Sequence, residues 1–320
     1  MSAPGIVFAG ADVILSDLIL HSRVNGQWDY TGLDSPEYCL NIDYFWRYPH
    51  KVKYSYNSRG FRDTEWPESL QELQDAAWCV GDSFTVGIGS PFDHTWTQVL
   101  ARRSKKRTIN ISMDGASNDW IYRRALQIHQ EVNPRIMIVM WSYTHRREHP
   151  DTTLSDEQRR IYHTESTTDE DLQHWQNLVC KLRDQVADQN QRCELLQCTI
   201  PEFHLHPIKM PNVVDSWDAI RDLNWPRCPE NLDEFDALPD YILQELKNLH
   251  GCYDDMRNCL EKELNDIIYI CKCLDYARDY HHFDILTSEW VVDRVLEKIH
   301  GHTVSRNRSP VVSVGRSDLR

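Results

Sequence analysis

The chain has 320 residues, of which 41% are hydrophobic and 26% are charged. These fractions are ordinary for a globular protein and exclude a fibrous or wholly disordered class. Acidic residues outnumber basic residues by 49 to 35, which gives a formal charge of −14, so we expect no nucleic-acid partner.

No apolar run reaches the roughly 18 residues that a membrane span needs. The best candidate, 6–20, is interrupted by Asp12 and Asp17, and no basic segment precedes it as a signal peptide would require. We therefore expect a soluble protein without a membrane span, located in the cytoplasm, or associated with the virion if it is viral.

The ten cysteines are expected to be reduced thiols that pack as small apolar side chains, because a chain of this length buries a core without disulfides. Zinc binding is the other usual role of cysteine. Cys271 and Cys273 have no second pair at zinc-site spacing, and His204 and His206 stand alone. The sequence therefore predicts no metal site.

The chain divides by composition into four parts. Residues 1–70 are rich in aromatic and turn-forming residues without a helical or strand period, and we interpret them as an irregular arm packed on the body. The main domain is predicted to span 71–300, where short apolar runs alternate with amphipathic stretches. Within it, 201–248 carries many Pro and Trp residues and is interpreted as an insertion or lid. The arginine-rich end, 301–320, is predicted to be a flexible tail.

The predicted elements of the main domain alternate between strands and helices. Strands are predicted over 76–80, 108–112, 136–141 and 192–199. Amphipathic periods predict helices over 91–102, 117–132, about 171 to 189, 253–274 and 285–299. The run 136–141 contains no polar residue, as is typical of a central parallel strand covered on both faces. This alternation predicts an α/β fold, a three-layer α/β/α sandwich around a central parallel sheet.

A serine follows the first of these strands, in the sequence Gly81-Asp82-Ser83, with Gly87 and Gly89 shortly after it. Ligands bind at the carboxyl ends of strands in open α/β sheets, and glycines allow the backbone to bend tightly there. The spacing fits neither a GxGxxG motif nor a P-loop. Ser83 is therefore a candidate nucleophile, provided that the fold brings a base to it.

A candidate base lies near the other end of the chain, in the sequence Asp279-Tyr280-His281-His282. A histidine can take the proton of a serine hydroxyl, and an aspartate beside it can fix the imidazole tautomer. The alternative is a polar loop with incidental histidines.

Together, Gly81-Asp82-Ser83 and Asp279-x-x-His282 resemble the SGNH, or GDSL-type, esterase and lipase family. The resemblance implies that Ser83 is the nucleophile, His282 the general base and Asp279 its orienter. His281 is the rival base, and only the three-residue spacing favours His282. The resemblance also implies a flavodoxin-like fold of the SGNH hydrolase type and a reaction without a metal or organic cofactor.

A third block supports the resemblance. Asn110 follows the start of the second strand, and Gly115 comes five residues later, where the family has a glycine whose amide binds the oxyanion. By this likeness the N–H groups of Gly115 and Ser83 would share that role. The alternative for Gly115 is a tight turn before a helix.

A fourth block departs from the family, because no Gly-x-Asn-Asp sequence follows the strand 136–141. Ser142 or Thr144 could offer a hydroxyl in its place, Asn118 could reach in from the neighbouring loop, or the third donor is absent. Arg146, in the same loop, is a candidate clamp for an anionic substrate group. Its alternative is an arginine that is solvated or ion-paired.

The arm contains one further segment, Asn57-Ser58-Arg59-Gly60-Phe61-Arg62. It resembles a segment found ahead of the serine block in some family members, including phage and bacterial ones, and this implies an arm packed near the active-site face. A purely structural role, a turn at Gly60 anchored by Phe61, is the favoured interpretation.

The predicted function is hydrolysis of a small acyl ester. Eleven tryptophans and fourteen tyrosines suit stacking on sugar rings, so an O-acetyl group on a carbohydrate is the preferred substrate, and a small ester or glycan the expected ligand. The alternative, motivated by the missing asparagine and the aromatic arm, is a catalytically weak or inactive structural or binding protein with the same fold. Its partners would be proteins of a larger assembly such as a virus particle. A nucleotide-binding flavodoxin-like module is a third alternative.

Overall fold

The computed structural model describes residues 18–159, 169–188, 192–200, 267–268, 270 and 274–306. In the arm, strands β1 (Gln27–Trp28) and β2 (Tyr54–Ser55) pair antiparallel. Helix α1 (Ile42–Arg47) lies between them in sequence, and the side chain of Asn41 caps it by accepting a hydrogen bond from the N–H of Tyr44.

A five-stranded parallel sheet forms the centre of the protein. Its strands in chain order are β3 (Ala77–Gly81), β4 (Thr108–Ser112), β5 (Ile136–Trp141), β6 (Glu194–Thr199) and β7 (Ile267–Ile268). The spatial order is β4-β3-β5-β6-β7, and each neighbouring pair is parallel. This is the strand order of flavodoxin-like folds. The predicted α/β fold with a central parallel sheet is therefore confirmed.

Helices flank the sheet. They are α2 (Ser83–Val86), α3 (Trp96–Ser104), α4 (Asn118–Glu131), α5 (Asp156–Arg159), α6 (Asp169–Asp188) and α7 (Ile285–Arg306). Helix α3 packs against α7, and α4 packs against α6. The connections from β3 to β4 and from β4 to β5 run in opposite directions along the sheet, so right-handed crossovers put α3 and α4 on opposite faces. These two helix layers and the sheet make the predicted sandwich.

Most predicted elements agree with the structure to within two residues. The bounds of β4 and β5 are those predicted, and β5 is an apolar run between the polar residues Arg135 and Ser142. Ser117 caps α4 by accepting from the N–H of Trp120. The helix predicted over 91–102 begins only at Trp96, since Pro91 precedes a separate 3-10 turn. Helix α7 runs to Arg306, past its predicted end at 299.

The helix predicted over 253–274 is wrong at Ile267 and Ile268, which form strand β7 beside β6. Both isoleucines are buried, and β-branched side chains pack well on a pleated sheet surface. The segments 201–248 and 253–266 lie outside the described residues. The insertion or lid, the helix over 253–266 and the tail beyond 306 therefore stay predictions.

The core lies on both sides of the sheet and is rich in tryptophan. Trp78 on β3, Trp141 on β5, Trp96 on α3 and Trp120 on α4 are all fully buried. From the arm, Phe61 joins this core. No helix in this described part of the chain has the length and apolar character that a membrane crossing requires.

Five cysteines lie among the described residues, and all are free thiols: Cys39, Cys79, Cys180, Cys193 and Cys198. Burial raises the pKa of the Cys193 and Cys198 thiols to about 12. Both therefore remain protonated at neutral pH and pack as apolar groups.

Candidate active site

Ser83 lies directly beyond the carboxyl end of the central strand β3, as the first residue of α2. The side chain of Asp82 caps this short helix by accepting from the N–H of Phe84 at 3.0 Å. Gly81 has no room for a side chain, because a Cβ atom there would lie 2.1 Å from Oγ1 of Thr85. Gly87 ends the helix in the left-handed region at φ 75°. The Gly-Asp-Ser sequence thus makes a tight strand-to-helix turn with the serine at its start.

The structure brings His282 and Asp279 to this serine. Nε2 of His282 lies 2.7 Å from Oγ of Ser83, and Nδ1 of His282 lies 2.5 Å from Oδ2 of Asp279. The other carboxylate oxygen of Asp279 accepts the backbone N–H groups of His281 at 3.0 Å and His282 at 3.1 Å. Tyr280, between them, adopts φ 62°, which lets the turn fold back on the aspartate. The Ser83 hydroxyl, the His282 imidazole and the Asp279 carboxylate are thus connected by hydrogen bonds in that order, and these three residues are called the candidate row.

The electrostatics of this row favour a charged pair. Burial alone would lower the pKa of His282, but the carboxylate of Asp279 outweighs it and raises that pKa above 6.5. Burial opposes ionisation of Asp279 as well, yet His282 and its N–H hold the carboxyl pKa below 3.8. The imidazolium that forms when a base accepts a proton is therefore stabilised in place.

His281 has a different environment. Its Nε2 lies 3.2 Å from Oη of Tyr143, on the loop after β5. Burial, reinforced by the nearby positive charge of His282, lowers its pKa to about 3, so its imidazole is neutral at neutral pH. Of the two histidines, His282 is the one in hydrogen-bond contact with Ser83.

Gly115 lies on the loop after β4, beside the serine turn. Ser112 at the end of β4 pairs with Gly81 at the end of β3, and the N–H of Met113 donates to the Gly81 carbonyl at 3.2 Å. Gly115 adopts φ 71°, a conformation that favours glycine. Since Ser83 begins a helix, its own N–H has no acceptor within that helix. The two predicted oxyanion donors thus lie on adjacent loops.

Asn118 is buried and connects two loops. Its Oδ1 accepts the N–H of Ser142, and its Nδ2 donates to the carbonyl of Tyr143, both at 2.9 Å. Thr144 is buried in the turn that follows, which is closed by a hydrogen bond from Arg146 N–H to the Tyr143 carbonyl. Ser142 and Thr144 thus belong to the loop after β5, whereas Asn118 is the first residue of α4, and its side-chain amide holds that loop's backbone.

Arg146 is ion-paired, which is the alternative that the sequence left open for it. Its Nη1 lies 3.1 Å from Oδ2 of Asp82, and the same carboxylate oxygen accepts the hydroxyl of Ser142 at 2.6 Å. Asp82 is fully buried. Burial raises its pKa above 3.8, and Arg146 opposes that rise. Sequence reasoning missed this role of Asp82, because its partner lies 64 positions away.

Arg62, in the arm segment, packs against the loop that follows α2. Its guanidinium donates to the carbonyls of Val86, Gly87 and Ser90. Gly60 adopts φ 81°, and Phe61 is buried, as in the structural interpretation of this segment. Among the described residues, no cluster of three or more histidine, cysteine or acidic side chains has an arrangement that could hold a metal ion.

No family model matches the chain, and no curated protein does. Among solved structures, it is similar to a carbohydrate acetylesterase family member from Sinorhizobium meliloti, at 14% identity and a TM-score of 0.36, over 72% of this chain and 99% of that one. It is also similar to a putative lipolytic protein of the G-D-S-L family from Desulfitobacterium hafniense, at 10% identity and a TM-score of 0.36, over 70% and 98%. A third similar structure is TesA, at 12% identity and a TM-score of 0.37, over 71% and 99%.

At such identities and at TM-scores below 0.5, the similarities do not determine what this chain does. Its own side chains carry the functional inference.

Proposed function

We propose that the chain is a serine ester hydrolase in which Ser83 is the nucleophile, His282 the general base and Asp279 the residue that orients the base. The observation that carries the proposal is the contact of 2.7 Å between the Ser83 hydroxyl and Nε2 of His282, continued by the contact of 2.5 Å from Nδ1 to Asp279. A serine hydroxyl needs such a base to become a good nucleophile.

In the first half of the reaction, Oγ of Ser83 attacks the ester carbonyl carbon while its proton passes to Nε2 of His282. Asp279 holds the proton on Nδ1 and stabilises the imidazolium. The N–H groups of Ser83 and Gly115 are the proposed donors to the oxyanion of the tetrahedral intermediate. When the intermediate collapses, the bond to the alcohol breaks, and His282 returns its proton to the leaving alkoxide oxygen. Ser83 is left acylated.

In the second half, a water molecule takes the place of the alcohol. His282 accepts a proton from the water as its oxygen attacks the acyl carbon. Collapse of the second intermediate breaks the bond to Oγ, and the proton passes from His282 back to Ser83. The products are the carboxylic acid and the alcohol, and the enzyme returns to its starting state.

The proposed substrate is a small acyl ester, with an O-acetyl group on a carbohydrate preferred. Exposed aromatic side chains of the arm support this choice: Tyr38 and Trp46 are 59% and 64% exposed. The segment that carries them contacts the candidate site, since the N–H of Leu40 donates to the carbonyl of Asp279 at 3.2 Å. Aromatic rings with one apolar face and one wet edge suit sugar binding.

The test compares the wild type with Ser83→Ala and with Ser155→Ala, a control at an exposed serine. Substrates are p-nitrophenyl acetate and acetylated oligosaccharides. We expect Ser83→Ala to lose at least about 10³-fold in kcat, whereas Ser155→Ala keeps wild-type turnover. A fluorophosphonate should label Ser83 and spare the Ser83→Ala variant. Equal background rates in all three proteins, without labelling, would overturn the proposal in favour of the non-enzymatic alternative.

A further inference from the structure

The turn that carries Asp279 and His282 is held in place by the arm. The N–H of Leu40 donates to the carbonyl of Asp279 at 3.2 Å, and the hydroxyl of Tyr44 donates to the carbonyl of Tyr276 at 2.5 Å. The ring of Tyr44 also packs edge-on against that of Tyr280, with 5.0 Å between the centroids. The arm therefore contacts the segment of the candidate orienting residue at Tyr276, at Asp279 itself and at Tyr280.

A fourth contact between the arm and this turn is an ion pair between Asp34 and Arg278. Nε of Arg278 lies 2.7 Å from Oδ1 of Asp34, and Nη2 lies 2.7 Å from Oδ2. This two-point geometry is the strongest form of an arginine–carboxylate contact. Asp34 is fully buried and also accepts the hydroxyl of Tyr54 at 2.6 Å. The guanidinium lies over the rings of Tyr30 and Phe45 as well.

Arg278 directly precedes Asp279. The ion pair between Arg278 and Asp34 therefore restrains the backbone next to Asp279. The N–H of Arg278 donates to the carbonyl of Gly89, so the backbone at Arg278 is also held by the loop that follows α2. Tyr280, the residue after Asp279, adopts φ 62°. A bulky residue keeps such a conformation only where its surroundings enforce it. Without the arm, the turn would be free to relax, and the Asp279 carboxylate would rotate away from His282.

We propose that Asp34 is a positioning residue: through its ion pair with Arg278 it holds Asp279 in line with His282, so that the arm is a working part of the candidate active site. The catalytic consequence of this proposal rests on the proposed function. The positioning itself does not, because the contact between Asp279 and His282 is measurable without any substrate.

Two competing roles for the ion pair predict different results. In the first, the pair only stabilises the fold, and its loss lowers the unfolding temperature but leaves the His282 environment unchanged. In the second, each charge acts on His282 directly through space. Loss of the Asp34 anion would then lower the His282 pKa, and loss of the Arg278 cation would raise it. Positioning alone predicts that both losses lower that pKa, because either one releases Asp279 while His282 stays buried.

The experiment follows His282 in the full chain labelled with 15N-histidine, with its signal assigned by its loss in His282→Asn. The titratable groups that face His282 are Asp279 and His281 on its own turn, Asp114 after β4 and Asp82 after β3, and none of them is changed. The variants are Asp34→Asn, Arg278→Gln and their combination. Glu289→Gln, which breaks the ion pairs of Glu289 on α7 to Arg102 and Arg103 on α3, is the matched control.

We expect the His282 pKa to fall by about one unit in Asp34→Asn and by a similar amount in Arg278→Gln. The His282 pKa should fall no further in the double variant than in the single variants, because all three variants break the same ion pair. Glu289→Gln should leave the value unchanged even where it lowers the unfolding temperature. In an esterase assay, kcat should fall about tenfold while KM changes less than about twofold.

Shifts of opposite sign in the two single variants would overturn the positioning proposal in favour of direct electrostatics. Unchanged His282 titration in both would overturn it in favour of a purely structural pair. If Arg278→Gln does not fold, Arg278→Lys keeps the charge without the two-point contact, and positioning predicts a lowered pKa there too. A wild type without esterase activity but with the expected shifts would refute the proposed function alone, and an active wild type without the shifts would refute the positioning alone.

Discussion

The guanidinium of Arg146 lies 3.1 Å from the carboxylate of Asp82, the residue directly before the candidate nucleophile. Asp82 is fully buried, and the Arg146 side chain is 17% exposed. Ser142 donates to the same carboxylate oxygen as Arg146. These contacts connect the loop after β5 to the turn after β3 that carries Ser83. Arg146, which the sequence suggested as a clamp for an anionic substrate, instead pairs with the buried carboxylate of Asp82.

Replacing Arg146 by methionine should therefore destabilise the protein. The buried Asp82 carboxylate would lose its cation, and removing one partner of a buried ion pair costs about 3 kcal/mol or more. The combination of Asp82→Asn with Arg146→Met should cost less than Arg146→Met alone, because no unpaired charge remains. Urea unfolding of the wild type, Asp82→Asn, Arg146→Met and the double variant measures this. Unchanged stability with a raised KM for anionic esters only would instead make Arg146 a substrate clamp.

The two adjacent histidines should differ sharply in function. His282→Asn removes the base from Ser83 and should lower kcat by about 10³-fold, within the range that general base catalysis contributes. His281→Asn removes a neutral ring that contacts Tyr143 and should lower kcat by less than about tenfold. Steady-state assays at saturating substrate compare the two. The reverse ranking would make His281 the base.

The pH dependence of kcat/KM should show an acid limb set by His282. The base works only when it is neutral, so activity falls as pH drops through its pKa. That pKa is raised above 6.5, since the Asp279 carboxylate outweighs the effect of burial. Asp279→Asn removes the carboxylate and leaves the burial, so its limb should move to lower pH while the rate falls. A limb in the variant at the same pH as in the wild type would show that another group controls it.

Gly115→Ala should impair both stability and turnover. Gly115 adopts φ 71°, and an alanine there costs about 1 kcal/mol or more. If the peptide rotates to relieve this strain, its N–H leaves the proposed oxyanion position, and kcat should fall about 10²-fold. Thermal unfolding and esterase assays check the two effects. A turnover equal to that of the wild type, in a protein that is measurably less stable, would limit Gly115 to the turn role.

The sequence predicted those parts of the site that depend on local pattern. Strand β5 is a run of six apolar residues, and Ser117 stands where a helix cap is needed. The Gly-Asp-Ser turn and the Asp279-x-x-His282 turn are each readable within four residues. Their convergence was not derivable from spacing alone, and it entered as an implication of the family resemblance.

The missed features depend on distant partners. Asp34 and Arg278 are 244 positions apart, and neither stands in a motif, so no local pattern connects them. Strand β7 has only two residues, too few to show a period of its own, and its neighbours fit a helical one. In both cases tertiary packing determined a feature that local propensity left open.

The last prediction concerns Asp284, a buried carboxyl just behind the candidate row. Its Oδ1 accepts the hydroxyls of Tyr48 at 2.7 Å and Ser90 at 3.2 Å, while its Oδ2 is buried without a partner among the described residues. Burial, and then the nearby Asp275, raise its pKa well above 3.8. The folded protein therefore keeps this carboxyl protonated at pH values where the unfolded chain has lost the proton. Its stabilising effect is complete below pH 3.8 and declines as pH rises toward the folded-state pKa.

Asp284→Asn replaces the protonated carboxyl by a neutral group of the same shape and abolishes that decline. Relative to the wild type, the variant should gain unfolding free energy between about pH 4 and about pH 8, by about 1.4 kcal/mol for each unit by which the folded-state pKa of Asp284 exceeds that of the unfolded chain. Urea unfolding at the two pH values measures the difference directly. A difference between variant and wild type that is the same at both would mean that the folded-state pKa of Asp284 is not raised, and that its orphaned oxygen carries a charge at neutral pH.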